Sequence, residues 1–143
     1  CISTNEVRHV MVKDGAFNRN GFITFLTDLI ELRPELQRGE ATIVMDNARI
    51  HHALVVVDFL EEKGISYLFL PPYTPELNPI ENFFGTVKQE YCNGGVARTR
   101  DEMKMRIEAT MNSAGGRVQM INYYEHMREY VQKAQNREPF FTN

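Results

Sequence analysis

Two acidic residues stand where a metal-assisted reaction would need them. Asp46 follows the apolar run Ala41-Thr42-Ile43-Val44-Met45, and Glu81 follows Asn78-Pro79-Ile80, with 34 residues between the two acids. An aspartate ending a buried strand of an open α/β sheet lies on the edge where ligands bind. A glutamate in the first turn of a helix has its ionised form favoured by the helix N-terminus. Brought to one end of a sheet, the two carboxylates suit a hard divalent cation such as magnesium, which takes few protein oxygens. A pair of such ions activates a water or hydroxyl and stabilises the leaving oxygen of a phosphodiester. Asn47 is placed to orient a bound water or a carboxylate. Gly85 and Lys88 share the helical face of Glu81. The small residue admits a nucleic-acid backbone, and the lysine meets a phosphate there.

Each of these residues also has an ordinary structural role open to it. Asn78, Pro79 and Glu81 read as an N-cap, a first-turn proline and a capping-box glutamate. Asp46-Asn47 reads as a strand-end turn, and His51 and His52 as surface or capping histidines at a helix start. Lys88 reads as a solvated helix residue, and Asp14 before Gly15 as a turn residue. Spacing alone leaves metal-dependent phosphoryl transfer as one reading among several.

The elements that must position these residues follow from periodicity. Val7 to Val12 is rich in β-branched residues and alternates imperfectly, a strand running into the Asp14-Gly15 turn and pairing with a strand that ends near Ile2. From Asn20, Phe22, Phe25, Leu26 and Leu29 fall on one helical face, closed by Pro34. Ala41 to Asp46 is a short continuous apolar run, the mark of a buried parallel strand. Ala53, Val56, Val57 and Leu60 repeat at helical spacing, with Lys63 in the last turn and Gly64 as the stop. Ile65 to Leu70 reads as a second buried strand and a sheet neighbour of the first. Pro71-Pro72-Tyr73-Thr74-Pro75 is a stiff extended loop, since each proline fixes its own φ and restricts the residue before it.

A helix opens at Pro79 with Ile80, Phe83, Phe84, Val87 and Tyr91 on one stripe, and Asn93-Gly94-Gly95 ends it. Thr99 and Glu102 form a capping-box pattern before a helix reaching about Asn112. Ser113-Ala114-Gly115-Gly116 breaks the chain, and a last amphipathic helix runs from about Val118 to Gln135. Strand–helix alternation through the middle predicts an α/β sheet with helical layers.

Composition bounds the function classes. The 143 residues are 43% hydrophobic and 24% charged, which excludes disordered and fibrous chains and suffices for one domain with a sizeable core. No apolar run is long enough to span a bilayer, so no membrane partner is expected. The sequence opens at Cys1 without a leader, and its two cysteines are too few for a disulfide scaffold, so an intracellular compartment is expected. A net charge of −3 places any nucleic-acid binding on a local basic surface, on metal ions, or on a part of the protein outside this chain.

The joint pattern narrows the reading. V-M-D-N-A-R-I-H (Val44 to His51), L-P-P-Y-T-P-E-L-N-P-I-E-N-F-F (Leu70 to Phe84) and then Lys88 resembles the DDE catalytic domain of mariner-type transposases and their bacterial insertion-sequence relatives. The resemblance covers roughly Ser3 to Tyr91 in element order and, more loosely, the C-terminal helices. It implies a ribonuclease H-like α/β fold, a mixed sheet flanked by helices, on which two aspartates and a final Glu or Asp hold two Mg2+ or Mn2+ ions. Asp46 matches the second carboxylate and Glu81 the third. His51 matches the histidine of the D-N-x-x-x-H motif, and Lys88 the lysine that follows the glutamate on its helix.

Two departures matter. The family often has Trp where this chain has Phe84, a volume-reducing change at a position expected to face the core. The family's first aspartate ends a strand that here would lie before Cys1, so the chain is expected to be truncated ahead of that strand and to hold two of three metal ligands. Asp14 and Glu6 do not substitute for it. The reading is one catalytic domain over 1–143, with a core at about 3–92 and a C-terminal helical part at about 99–136.

The activity implied is metal-dependent cleavage of DNA at transposon ends, followed by strand transfer, with this chain alone inactive. Asp46 and Glu81 are the catalytic and metal-binding residues, supported by Asn47, His51 and Lys88. Arg49, Lys88, Arg98 and Arg100 are expected to track phosphates. The implied partners are terminal-repeat and target DNA, a homodimer formed on DNA, and a separate amino-terminal recognition domain. The compartment would be the nucleus in a eukaryote and the cytoplasm in a bacterium. Two other readings remain: a domesticated or decayed relative that binds DNA or protein without catalysis, and a nuclease or resolvase of the same fold.

Overall fold

The computed structural model describes residues 1–114 and 117–140. The chain divides into two compact units, Lys13–Thr74 and Cys1–Val12 with Pro75–Asn143.

The Lys13–Thr74 unit begins with a bend at Asp14-Gly15, where Gly15 adopts a φ of 75° that an L side chain resists. Helix α1 (Arg19–Leu32) starts where Asn18 accepts a 2.9 Å hydrogen bond from the Gly21 amide, and it buries Leu26, Leu29 and Ile30. Strand β1 (Ile43–Met45) leads to α2 (Leu54–Glu62), whose Val56 and Leu60 are fully buried, and then to β2 (Tyr67–Phe69). Lys63 caps α2, and Gly64 turns the chain at φ 67°. Strands β1 and β2 are parallel neighbours in the register Ile43–Tyr67, Val44–Leu68 and Met45–Phe69, as the apolar runs require. The Leu70 amide extends the pairing with a 2.8 Å bond to the Met45 carbonyl.

Burial of these strands departs from the expectation. Met45 is buried, whereas Val44 is 54% and Leu68 57% exposed. Side chains alternate across a sheet, so Val44 and its register partner Leu68 share the face opposite Met45, and that face is left open to solvent.

In the other unit, an Ile2–Val7 antiparallel bridge closes a turn in which the Ser3 amide bonds the Glu6 carbonyl at 2.9 Å. The strand expected over Val7–Val12 does not form beyond that bridge. A strand exists only where a neighbouring backbone pairs with it, and past Val7 the partner is Cys1, whose carbonyl accepts from the Arg8 amide at 2.9 Å and whose amino group donates to the His9 carbonyl at 2.8 Å.

After a 3₁₀ turn (Pro75–Leu77), helices α3 (Pro79–Asn93), α4 (Arg100–Ala114) and α5 (Arg117–Gln135) pack together. Phe83 and Val87 of α3 and Met120 of α5 form the buried centre, covered by Ile2, Val7, Ile80, Met111 and Tyr123. Tyr123 donates a 2.7 Å hydrogen bond to Thr86, fixing α5 on α3. Tyr124 reaches the Ile2 carbonyl at 3.4 Å, and burial pushes its phenol above the usual range, which keeps it a donor.

The α4 cap forms as read. Thr99 Oγ1 accepts from the Glu102 amide at 3.1 Å, and the Glu102 carboxylate accepts from the Arg98 amide at 2.7 Å. Ser113 and Ala114 continue α4 rather than breaking it, with Ser113 donating to Glu90 of α3 at 3.1 Å. The break expected at Gly115-Gly116 lies outside the described residues. Phe84 is 44% exposed and does not face the core, because the buried stripe of α3 runs through Phe83 and Val87 one position away. Among the described residues no helix is long and apolar enough to cross a membrane.

Candidate metal centre

Asp46 follows the last residue of β1, where extended backbone gives way to a turn. Its Oδ1 accepts a 2.9 Å hydrogen bond from the Ala48 amide and stands 2.8 Å from Nδ1 of His51. Nδ1 also lies 3.4 Å from the Asp46 carbonyl. Both neighbours are acceptors, so Nδ1 carries the proton. The His51 side chain is 18% exposed and that of Asp46 44%. The imidazole leans on Phe22 of α1, ring centroids 4.5 Å apart. The carboxylate is thus held at one oxygen, while among the described residues no hydrogen bond engages Oδ2.

Asn47 ties the two strand ends together. Its Nδ2 donates to the Leu70 carbonyl, and its Oδ1 lies 2.8 Å from Nε2 of His52. The His52 ring stacks on Phe69 of β2 with centroids 3.9 Å apart. Two adjacent dipeptides, Asp46-Asn47 and His51-His52, therefore pair residue for residue at a spacing of five. Sequence reasoning gave His52 only a surface or capping role, and gave Phe22 and Phe69 no part in the site. The repeated i to i+5 pairing of acceptor with imidazole was the signal for His52, whereas the aromatic supports come from distant elements and leave no local trace.

Arg49 is exposed on the turn after Asp46.

Glu81, Lys88, Arg98 and Arg100 belong to the other unit. The capping role open to Glu81 is not taken: the Asn78 side chain makes no cap bond, and the Glu81 amide instead bonds the Asn78 backbone carbonyl at 3.1 Å. Pro79, with its fixed φ and no N–H, starts the helix without a side-chain cap. The Glu81 carboxylate is exposed and, among the described residues, has no hydrogen-bond or ion-pair partner. Phe84, Gly85 and Lys88 continue the same exposed face, and a Cβ on Gly85 would meet nothing within 4 Å. Arg98 and Arg100 are exposed at the start of α4.

The donors match a hard cation in type, being carboxylates with free oxygens. They do not complete a site in number: among the described residues no three His, Cys, Asp or Glu side chains gather as metal ligands.

A family profile described as DDE superfamily endonuclease matches residues 1–104. Two solved structures of the Mos1 transposase catalytic domain with raltegravir share the fold. The one with Mg is 20% identical at a TM-score of 0.77, covering 97% of this chain and 73% of that one. The one with Mn is 19% identical at 0.76, covering 97% and 74%. A search of curated proteins finds no match. With the profile spanning most of its length, the strand-end aspartate and the proline-loop glutamate included, this chain belongs to the DDE superfamily endonucleases.

Proposed function

We propose that this chain is most of the catalytic domain of a DDE transposase, which cleaves DNA at transposon ends and transfers the freed 3′ hydroxyl to target DNA. The observation that carries the reading is the Asp46 carboxylate, fixed through one oxygen by His51 and the Ala48 amide with the other free, at the end of β1. Asp46 and Glu81 would hold the metal ions. Two Mg2+ or Mn2+ ions, when bound, supply the activated oxygen nucleophile and neutralise charge on the phosphodiester. Support for divalent metal comes from the Mos1 domains, solved with Mg and with Mn.

The chain's own residues have separable tasks. His51 orients Asp46 and, as a proton donor to Oδ1, keeps that carboxylate in one rotamer. Asn47 holds the ends of β1 and β2 in register. Glu81, freed from capping, presents its carboxylate where the α3 N-terminus favours the ionised form. Gly85 leaves room beside it for a phosphate backbone, and Lys88 neutralises a phosphate one turn further on. Arg49, Arg98 and Arg100 extend the cationic contacts. No side chain serves as nucleophile, because water and a DNA hydroxyl fill that role.

In this reading 1–143 is a single ribonuclease H-like catalytic domain continued by its C-terminal helices, acting as a homodimer on DNA. Its compartment is the nucleus in a eukaryotic host or the cytoplasm in a bacterial one. A second reading, a binding relative without catalysis, draws on the lack of a three-ligand cluster among the described residues.

Full-length protein assayed with Mg2+ on end-bearing duplexes separates these readings. Cleavage followed by joining to a second duplex is expected. Cleavage without joining indicates a nuclease or resolvase, and binding without cleavage indicates the non-catalytic relative.

A further inference from the structure

The proline loop departs from the extended form its sequence suggests, and the departure is concentrated in one residue. Tyr73 adopts a φ of 59°, in the left-handed region that a bulky side chain rarely enters. Tyr73 is 101% exposed, so among the described residues no packing offsets that strain or shelters the ring. Surrounding chemistry locks the turn: Pro71, Pro72 and Pro75 limit the backbone, and Thr74 Oγ1 donates a 2.7 Å hydrogen bond to the Pro71 carbonyl. Strain held in place with no structural return is found where a side chain is needed for something outside the fold.

The position of the loop says what that is. Leu70, where the loop begins, is bonded through its amide to Met45 and through its carbonyl to the Asn47 side chain, the residues on either side of Asp46. Tyr73 therefore stands out from the end of the sheet that carries Asp46, within the same unit. A rigidly displayed phenol ring with both faces free suits stacking on a nucleobase, which every base offers irrespective of sequence. A protein-binding hot spot would sit among apolar neighbours, whereas Tyr73 is flanked by Pro72 and Thr74.

We infer that Tyr73 is a base-stacking residue that receives an unpaired nucleobase of the DNA end and so holds the strand beside Asp46. The inference rests on the DNA-cleavage reading above and adds a contact to it.

The test uses full-length protein and a duplex with a short single-stranded 3′ tail carrying 2-aminopurine, whose fluorescence falls when it stacks. Wild type is expected to quench the probe on binding. Tyr73→Ala and Tyr73→Gly should abolish the quenching and weaken binding of the tailed duplex roughly 5- to 150-fold, the loss of one stacked base. Their affinity for a blunt duplex should not change. Tyr73→Phe and Tyr73→Trp should keep both quenching and affinity. The glycine variant, at home at positive φ, should melt no lower than wild type, so its binding loss is not a folding loss.

Three outcomes overturn the stacking assignment alone, given a wild type that binds and cleaves. They are unchanged quenching in Tyr73→Ala, a loss in Tyr73→Phe as large as in Tyr73→Ala, and a shift from dimer to monomer with tailed-DNA binding intact. A wild-type protein that neither binds nor cleaves the tailed duplex overturns the DNA-cleavage reading and the stacking contact together.

Discussion

His51 Nδ1 stands 2.8 Å from Asp46 Oδ1, five residues along the chain and across the turn that ends β1. Phe22 backs the imidazole at 4.5 Å, and the Ala48 amide shares the same carboxylate oxygen at 2.9 Å. The aspartate is therefore oriented before any cation arrives, and among the described residues its second oxygen has no hydrogen-bond partner.

If that orientation serves metal binding, His51→Ala should raise the Mg2+ concentration for half-maximal cleavage by roughly 10- to 100-fold, the usual cost of losing a group that orients a metal ligand. Thermal unfolding should shift little, since the side chain sits at a turn. A Mg2+ titration of cleavage in full-length protein checks this, and an unchanged midpoint speaks against it.

Adjacent phenylalanines of α3 should behave differently. Phe83 is 2% exposed in the core with Val87 and Met120, while Phe84 is 44% exposed. Phe83→Ala should cost about 3–5 kcal/mol through the cavity it leaves. Phe84→Ala should cost roughly 1 kcal/mol or less. Urea unfolding of the two variants side by side decides it.

The α3–α4 connection depends on one guanidinium. Arg106 donates to the carbonyls of Tyr91 and Gly95, each at 2.9 Å, and lies over the Tyr91 ring at 4.7 Å. A Cβ on Gly94 would come within 2.6 Å of Arg106 Nη2. Arg106→Ala should destabilise by about 1–3 kcal/mol by leaving the helix-end carbonyls without their charged donor. Gly94→Ala should displace that guanidinium from the Tyr91 carbonyl, so it should cost no more than Arg106→Ala and be nearly neutral once Arg106 is alanine. A double-mutant cycle by denaturant unfolding measures that coupling.

How much of this could be read from the residues depended on where each interaction partner lies. Asp46 was legible because the run before it is apolar and short, and its strand does pair in parallel with the next such run. Gly64 marked the end of α2 because its φ is a local property. The strand over Val7–Val12 was not legible, since β structure is decided by a neighbouring backbone that no local pattern reveals. Phe84 was misassigned because a stripe of five apolar positions on a helix is wider than the face that packing covers. Glu81 fitted a capping box by spacing, yet with Pro79 opening the helix the Asn78 side chain makes no cap bond. Tyr73 was hidden for a related reason: prolines on both sides predict extended backbone and give no warning of a left-handed residue between them.

Arg98 and Arg100, exposed at the start of α4, should contribute to affinity for DNA without reading its sequence. Changing both to Ala should reduce the slope of log affinity against log salt by about 2, one released counterion per lost phosphate contact. Salt-dependent binding of a duplex measures it. An unchanged slope removes these arginines from the interface.

The central claim is that Asp46 and Glu81 hold metal at the reacting phosphate. Its most direct measurement is cleavage by full-length Asp46→Cys and Glu81→Cys variants with Mg2+ and then with Mn2+. A thiolate is a poor ligand for the hard Mg2+ and a better one for the softer Mn2+. The account predicts no detectable cleavage with Mg2+, partial recovery with Mn2+, and unchanged binding of DNA ends throughout. Cleavage by either variant in Mg2+ at the wild-type rate would contradict it.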